Sequence, residues 1–516
     1  MARELTREES EKRERLAAER EAKKQAREEE KERLKREELE RLNAQLRVAR
    51  KAKRQAAVEA LHGKWSRMTS AVVDSWMRVV KKMVCVYNRA ATGLSRFAAK
   101  KHSLPVFILI AFFGFWFTAL IGGYNLFHLT TEMQFTFYQF YLCDFSAGFC
   151  SRVIVGAITG LFLDKVSVPQ MTAIANGAVI VSFVLFALVI GPVLRKGLRE
   201  KAFLPVLLAV VLLFEPVIVQ SNYMFLGTLD VYVLICFLVI LCAYGTPVFY
   251  VAAPLFSWLA LMVHYHYLFS FFPAVAALFV YSIFLGREKK TRSAGLASFG
   301  VTAASTCSLF VYLVFFAKSY LKCTADEFYE RMVARFDVFP AMRIGLEKIM
   351  DGNVLFRDYF DYNIFGYYNG TYYYGSGSSF IDFLRRDRIS RTIPSLYSKY
   401  FAYTLPVFIA FILIWIVCAS RQKGSRRLPY IAFACIPLAL FPELFISSDV
   451  PRWMSATLTC QFAVLFAVYR QGDTAVREIL RGSDEKTFVR KFVCVLCAAV
   501  YIAVMMYIGR DMPMFL

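Results

Sequence analysis

Charge is what this chain is short of. Only 20% of its 516 residues are Asp, Glu, Lys or Arg, while 57% are hydrophobic. Soluble globular proteins carry charge on about a quarter of their residues, so this balance excludes an ordinary water-soluble domain. Acids are scarcer still, 40 against 62 bases. Between Arg41 and His102 only Glu59 and Asp74 are acidic. The first residues are charged throughout, so no cleavable leader is expected and the first apolar segment would act as an uncleaved anchor. No a/d leucine seam is sustained through Leu16, Leu34, Leu39, Leu42 and Leu46, which argues for a single solvated helix over a coiled coil. His264 and His266 have no nearby cysteine and no clear third ligand, so a divalent metal has no support and no cofactor is expected. The basic run abuts an apolar segment and carries no nucleic-acid-binding motif, so nucleic acid is not an expected partner.

What is abundant is apolar sequence in blocks of about 17–25 residues, the length that crosses a bilayer core. Candidate spans are 104–126, 171–194, 202–220, 230–246, 247–263, 267–285, 296–317, 402–420, 429–446, 453–469 and 491–508. The fold class expected is all-α, a polytopic transmembrane helical bundle of about eleven spans. A split at Gly245-Thr246-Pro247 divides the 230–263 block, and 153–163 reads as re-entrant or interfacial. The loops Arg195–Lys201, Gly286–Arg292, Arg421–Arg427 and Arg470–Lys491 are all basic and all fall on one side. The positive-inside rule then puts the N-terminus in the cytoplasm and the C-terminus outside, in a cytoplasmic (inner) membrane.

The chain divides by composition. Residues 1–60 form a charged cytoplasmic helical arm in which Glu precedes a base by four residues repeatedly, as in Glu19/Lys23, Glu29/Arg33 and Glu32/Arg36. This arm is a candidate docking segment for a cytoplasmic protein partner. Residues 61–103 read as a basic amphipathic juxtamembrane helix, with Trp65, Met68, Val72 and Val79 on one face, suited to anionic membrane lipids. An N-terminal bundle follows at 104–317, then a large extracytoplasmic loop at 318–401 and a C-terminal bundle at 402–516. The 12 cysteines are scattered, and Cys494 and Cys497 are expected to pack inside an apolar helix. Cys143 and Cys150 flank an outer acid, where a disulfide is one expectation.

This orientation gathers the unusual residues at one boundary. Asp144, Arg152, Asp230, His264, His266, Asp449 and Arg452 all fall outside. Glu215 before Pro216 and Glu443 after Pro442 lie in the outer third of their spans. Ionisable groups at membrane depth usually mark function, and the prolines break helices where water or ligand can enter. No span offers an ionisable residue in its inner half. Each residue also has a plainer reading. Asp230 and Asp449 can cap the helices after them, and the histidines can sit in an aromatic belt beside Tyr265 and Tyr267. The large loop carries a tyrosine-rich stretch at 357–380, suited to sugar rings or to packing on the membrane surface. A guanidinium cluster follows at Arg385, Arg386, Arg388 and Arg391, suited to a phosphate or to lipid headgroups.

The stretch Asp144-x3-Gly148-Phe149-x2-Arg152-x3-Gly156 resembles a pattern in polytopic bacterial envelope proteins. The layout resembles GT-C type glycosyltransferases and, close behind, outer-face polysaccharide polymerases and ligases. The resemblance implies sugar transfer from a polyprenyl-phosphate-linked sugar or glycan at the outer face of the membrane. It implies Asp144 as catalytic base and Arg152 as phosphate partner. Glu215, Asp230, His264, His266, Arg385, Arg386, Arg388, Glu443, Asp449 and Arg452 would bind substrate. Asp144 and Arg152 are only eight residues apart and are expected on an exposed loop, outside any packed core. Two other classes stay open. A transporter or flippase of an envelope precursor would use the acids and histidines along a pathway, although no repeated half is visible. A non-enzymatic envelope scaffold would use the N-terminal arm.

Overall fold

A computed structural model describes residues 2–121, 137–214, 226–286, 289–337, 393–440, 442, 450–481 and 488–510. Among these residues the secondary structure is helical and there is no strand, only an isolated parallel bridge between Val166 and Phe336. Glu215, Arg385, Arg386, Arg388, Arg391, Glu443 and Asp449 lie outside the described residues, as does the tyrosine-rich stretch. The chain divides into two compact units, Met1–Arg89 and Ala90–Leu516.

The described residues of the first unit are all helical. Helix α1 runs Ala2–Ala99, so no break separates the charged arm from the basic segment after it. Lys23 meets Glu19 at 2.8 Å and Arg36 meets Glu32 at 3.6 Å, as the four-residue ladder predicts. Arg33 turns instead to Glu37 at 3.6 Å, the reversed pairing. All of these pairs are well exposed, and such contacts add only a few tenths of a kcal/mol each. Leu34, Leu39 and Leu42 are exposed.

The second unit is a packed bundle. Its helices are α2 (Leu104–Ile121), α3 (Gln139–Leu142), α4 (Ile154–Gly160), α5 (Val168–Arg199), α6 (Phe203–Leu213), α7 (Asp230–Ala243) and α8 (Phe249–Val263). They continue as α9 (Tyr267–Ser270), α10 (Phe272–Leu285), α11 (Lys289–Val311), α12 (Ala325–Ala334), α13 (Ile393–Ser420), α14 (Leu428–Cys435), α15 (Val450–Gln471), α16 (Thr474–Arg481) and α17 (Phe488–Arg510). The segments Lys101–Ala119, Val168–Arg199 and Arg292–Phe316 are long and apolar enough to cross a membrane, and shorter apolar helices surround them. The 230–263 block does split where its Gly-Thr-Pro falls, giving α7 and α8, which pack on each other. The 153–163 segment is the short helix α4.

Helix α15 organises the core. From Trp453 to Tyr469 every side chain is buried, including Ser455, Thr457, Thr459 and Gln461. A helix buried on all faces belongs at the centre of a bundle. Its polar side chains find partners: Trp415 Nε1 donates to Gln461 Oε1 at 2.8 Å, and Gln461 Nε2 donates to the Phe433 carbonyl at 3.0 Å. Satisfied in this way, a buried amide fixes the register of α13 and α14 against α15. Two cysteine expectations change. Cys143 and Cys150 are free thiols, both buried. Cys494 and Cys497 are exposed on α17 rather than packed.

Candidate functional site

Five of the expected residues meet in one chain of contacts. Asp230 opens α7, so its carboxylate sits at a helix N-terminus, where the dipole favours negative charge. It does not cap that helix. Oδ2 accepts from Arg452 Nη1 at 2.7 Å, and Oδ1 lies 3.1 Å from His266 Nε2. Arg452 comes from the first turn of α15, more than two hundred residues away in sequence. On its other side His266 Nδ1 is 3.0 Å from Ser270 Oγ, one turn along α9. The His264 ring packs edge-on to that of His266 at 4.4 Å. Arg152 Nη2 lies 3.0 Å from His264 Nε2 and donates to Tyr265 Oη at 3.1 Å, with its guanidinium 5.3 Å from the Tyr265 ring centre.

Local backbone makes this convergence. His264 leaves α8 in an extended conformation, which turns the HYHY stretch across the end of the helix. Arg152 takes a left-handed φ of 68°, rare for a residue with a side chain, and its backbone N–H donates to the Met262 carbonyl at 3.0 Å. The turn before α4 is thereby tied to the last turn of α8. Arg152 is 6% exposed, so the expectation of a residue outside the packed core is corrected. Its guanidinium has been drawn inward by tertiary contacts that lie more than a hundred residues away in sequence.

Burial pushes the His264 imidazole well below its usual range, and the Arg152 charge adds to the effect. The hydrogen bonding agrees. His264 Nδ1 faces the His266 backbone N–H at 3.1 Å while Nε2 faces Arg152. Both neighbours are donors, and a neutral imidazole has one lone pair to offer. A proton on His264 would leave it none. His264 is therefore held neutral. The Ser270–His266–Asp230 series has the order of a nucleophile relay, yet Ser270 has no accessible surface and cannot meet a substrate.

Asp144 belongs to a second cluster. Its Oδ1 accepts from the Ser146 backbone N–H at 2.8 Å, capping the short turn Phe145–Ala147. Its Oδ2 is 3.3 Å from Arg335 Nη1. The close pair with Arg152 expected from an eight-residue spacing is thus absent: the two side chains have different partners. Arg335 is what the sequence left unmarked. It also donates to the Leu142 carbonyl at 2.8 Å and the Gly156 carbonyl at 3.2 Å. A Cβ at Gly160 would lie 2.7 Å from Arg335 Nη2, and one at Gly156 would overlap the Cys143 carbonyl oxygen. The four-residue glycine spacing on α4 is the signal that could have flagged a close neighbour there. Burial pushes the Cys150 thiol beside this cluster up to about 12. Among the described residues no group of His, Cys, Asp and Glu is placed to hold a metal ion.

Two guanidinium groups, one carboxylate and two imidazoles thus line one region, with Arg452 keeping 38% of its side-chain surface exposed. Such a region can bind an anion. No protein-family profile, curated protein or solved structure matches the chain.

Proposed function

We propose that the chain is a multi-pass membrane protein of about eleven spans that transfers or polymerises lipid-linked sugars at the outer face of the cytoplasmic membrane. The observation that carries this reading is the contiguous network of Arg152, Asp230, His264, His266 and Arg452, drawn from four separated stretches of a largely apolar chain. Ionisable groups are costly in such surroundings and are retained there for function. Their composition fits the departure of a lipid phosphate better than chemistry that needs a metal.

In this reading Asp230 is the base and Arg452 the phosphate partner. Arg452 turns from Asp230 to the incoming lipid phosphate, which releases Oδ2. Oδ2 then takes the proton of the acceptor hydroxyl as its oxygen bonds to the anomeric carbon. The bond from that carbon to the phosphate oxygen breaks, and the oxygen leaves with the electron pair, stabilised by Arg452 and Arg152. His266 holds Asp230 from its other oxygen. Asp144, with Ser146 and Arg335 on its two oxygens, shapes the outer loop.

The test is surface-glycan formation in cells whose own copy is replaced by a variant. Asp230→Asn keeps size and loses the base, so glycan should fall about 100-fold or more. Arg452→Lys keeps charge but loses the forked donor, and should also impair transfer. Membrane levels are followed by immunoblot. Normal glycan with Asp230→Asn at normal protein level would sink the reading.

A further inference from the structure

A cleft of about 610 Å³ shares no lining residue with the Asp230 network. Its walls are Phe145, Phe149, Tyr312, Phe316, Tyr320 and Lys322. The volume is within the range of small-molecule sites, about 300–1,000 Å³. Phe145 and Phe149 stack with centroids 5.7 Å apart, and Tyr312 and Tyr320 stack at 6.2 Å. Phe149 bridges the pairs, 5.8 Å from Tyr312. The cleft is built rather than accidental. Gly148 holds the turn at φ 136°, a conformation that side-chain-bearing residues rarely adopt, and a Cβ there would come within 3.3 Å of the Tyr320 carbonyl oxygen. The Lys322 backbone N–H donates to the Ala147 carbonyl at 2.8 Å, pinning the two walls together. The wall from Tyr312 to Phe316 is a π-helical turn, a form that recurs at functional sites.

Position and chemistry select the occupant. The π turn ends the membrane-length segment Arg292–Phe316, where Val311, Val314 and Phe315 are exposed apolar residues on the same stretch. The cleft therefore sits where hydrocarbon gives way to headgroups. Lys322, six residues beyond Phe316, is exposed and cationic, as a residue at headgroup level should be. The lining side chains include no carboxylate or amide, the groups that best hold sugar hydroxyls. We propose that the cleft binds an anionic phospholipid of the bilayer, one acyl chain between the aromatic rings and the phosphate against Lys322. The proposal needs only that the chain lies in a membrane and is independent of sugar transfer.

Native mass spectrometry of the full-length protein in mild detergent tests it, with phosphatidylglycerol and phosphatidylcholine of identical acyl chains as probes. Phosphatidylglycerol should be retained about fivefold over phosphatidylcholine, the preference one lysine near a lipid surface confers. Lys322→Gln should bring the ratio to about one, while Lys423→Gln, at another exposed lysine, should leave it unchanged. Phe149→Ala should weaken both lipids alike and leave the ratio between them near that of the wild type. Equal retention of the two lipids by the wild type would overturn the proposal, as would an unchanged ratio in Lys322→Gln. Preferential uptake of an isoprenyl monophosphate over phosphatidylglycerol would overturn it too, reassigning the cleft to a carrier lipid. Normal surface glycan with Asp230→Asn, the lipid ratio being intact, would sink the proposed function alone.

Discussion

A single imidazole shows how far chemistry at one residue depends on its surroundings. In the sequence His264 is one of two histidines among tyrosines, as consistent with a membrane-interface belt as with a site. In the structure it has donors on both ring nitrogens, with Arg152 and His266 beside it and Asp230 and Arg452 beyond. Burial and Arg152 hold its folded pKa below that of the unfolded chain. Above about pH 6.5 both states are neutral and folding loses nothing. As pH falls below that value the unfolded chain binds a proton that the folded one refuses, so stability drops until the folded pKa is reached. The thermal midpoint should therefore be lower at about pH 5.5 than at about pH 7.5. His264→Gln, which keeps an acceptor for Arg152 but cannot titrate, should shrink that difference. An equal drop in wild type and variant would show that other groups set the acid response.

At the scale of elements, close approach matters more than apolar area. Helix α4 has glycines four apart, and the chain uses both. Gly156 presses against the 141–143 backbone, and Gly160 leaves room for Arg335. Gly156→Ala would drive a methyl group into the Cys143 carbonyl, so the Asp144 turn and α4 cannot both keep their places. Folded yield from membranes should fall severalfold, as for an overpacked core costing about 1–3 kcal/mol. Gly177→Ala on α5 has open space around it and should be harmless. Equal yields for the two variants would contradict this packing. The glycine spacing was visible in the sequence, yet its partner was not, because Arg335 arrives from α12 some 180 residues later.

For the whole molecule, the orientation is an expectation that rests on the charge of the loops, and labelling can decide it. A single cysteine at Ser378, in a background depleted of cysteine, should react with an impermeant thiol reagent in intact cells, whereas one at Ser425 should not. Protection at Ser378 with reaction at Ser425 would invert the topology and move the Asp230 network to the cytoplasmic face. The mutational effects at Gly156 and His264 would stand either way, since one depends on packing and the other on burial and the Arg152 charge, not on which side of a membrane they face.

Composition and periodicity by themselves determined the helical class, the three segments long and apolar enough to cross a membrane, the helical arm and the break between α7 and α8. These are local properties, set by the run length of apolar residues, the spacing of charges and one Gly-Thr-Pro. They also marked Asp230, His264, His266 and Arg452 as unusual, because charge stands out in an apolar chain. Only the tertiary structure decided which of them meet. It joined Asp230 to Arg452, parted Asp144 from Arg152 and brought Arg335 to the Asp144 turn. Nearness along the chain says little about side chains at helix ends, where one left-handed residue such as Arg152 redirects the backbone. Partners there are chosen by which helices pack, and that depends on the shape of the bundle as a whole.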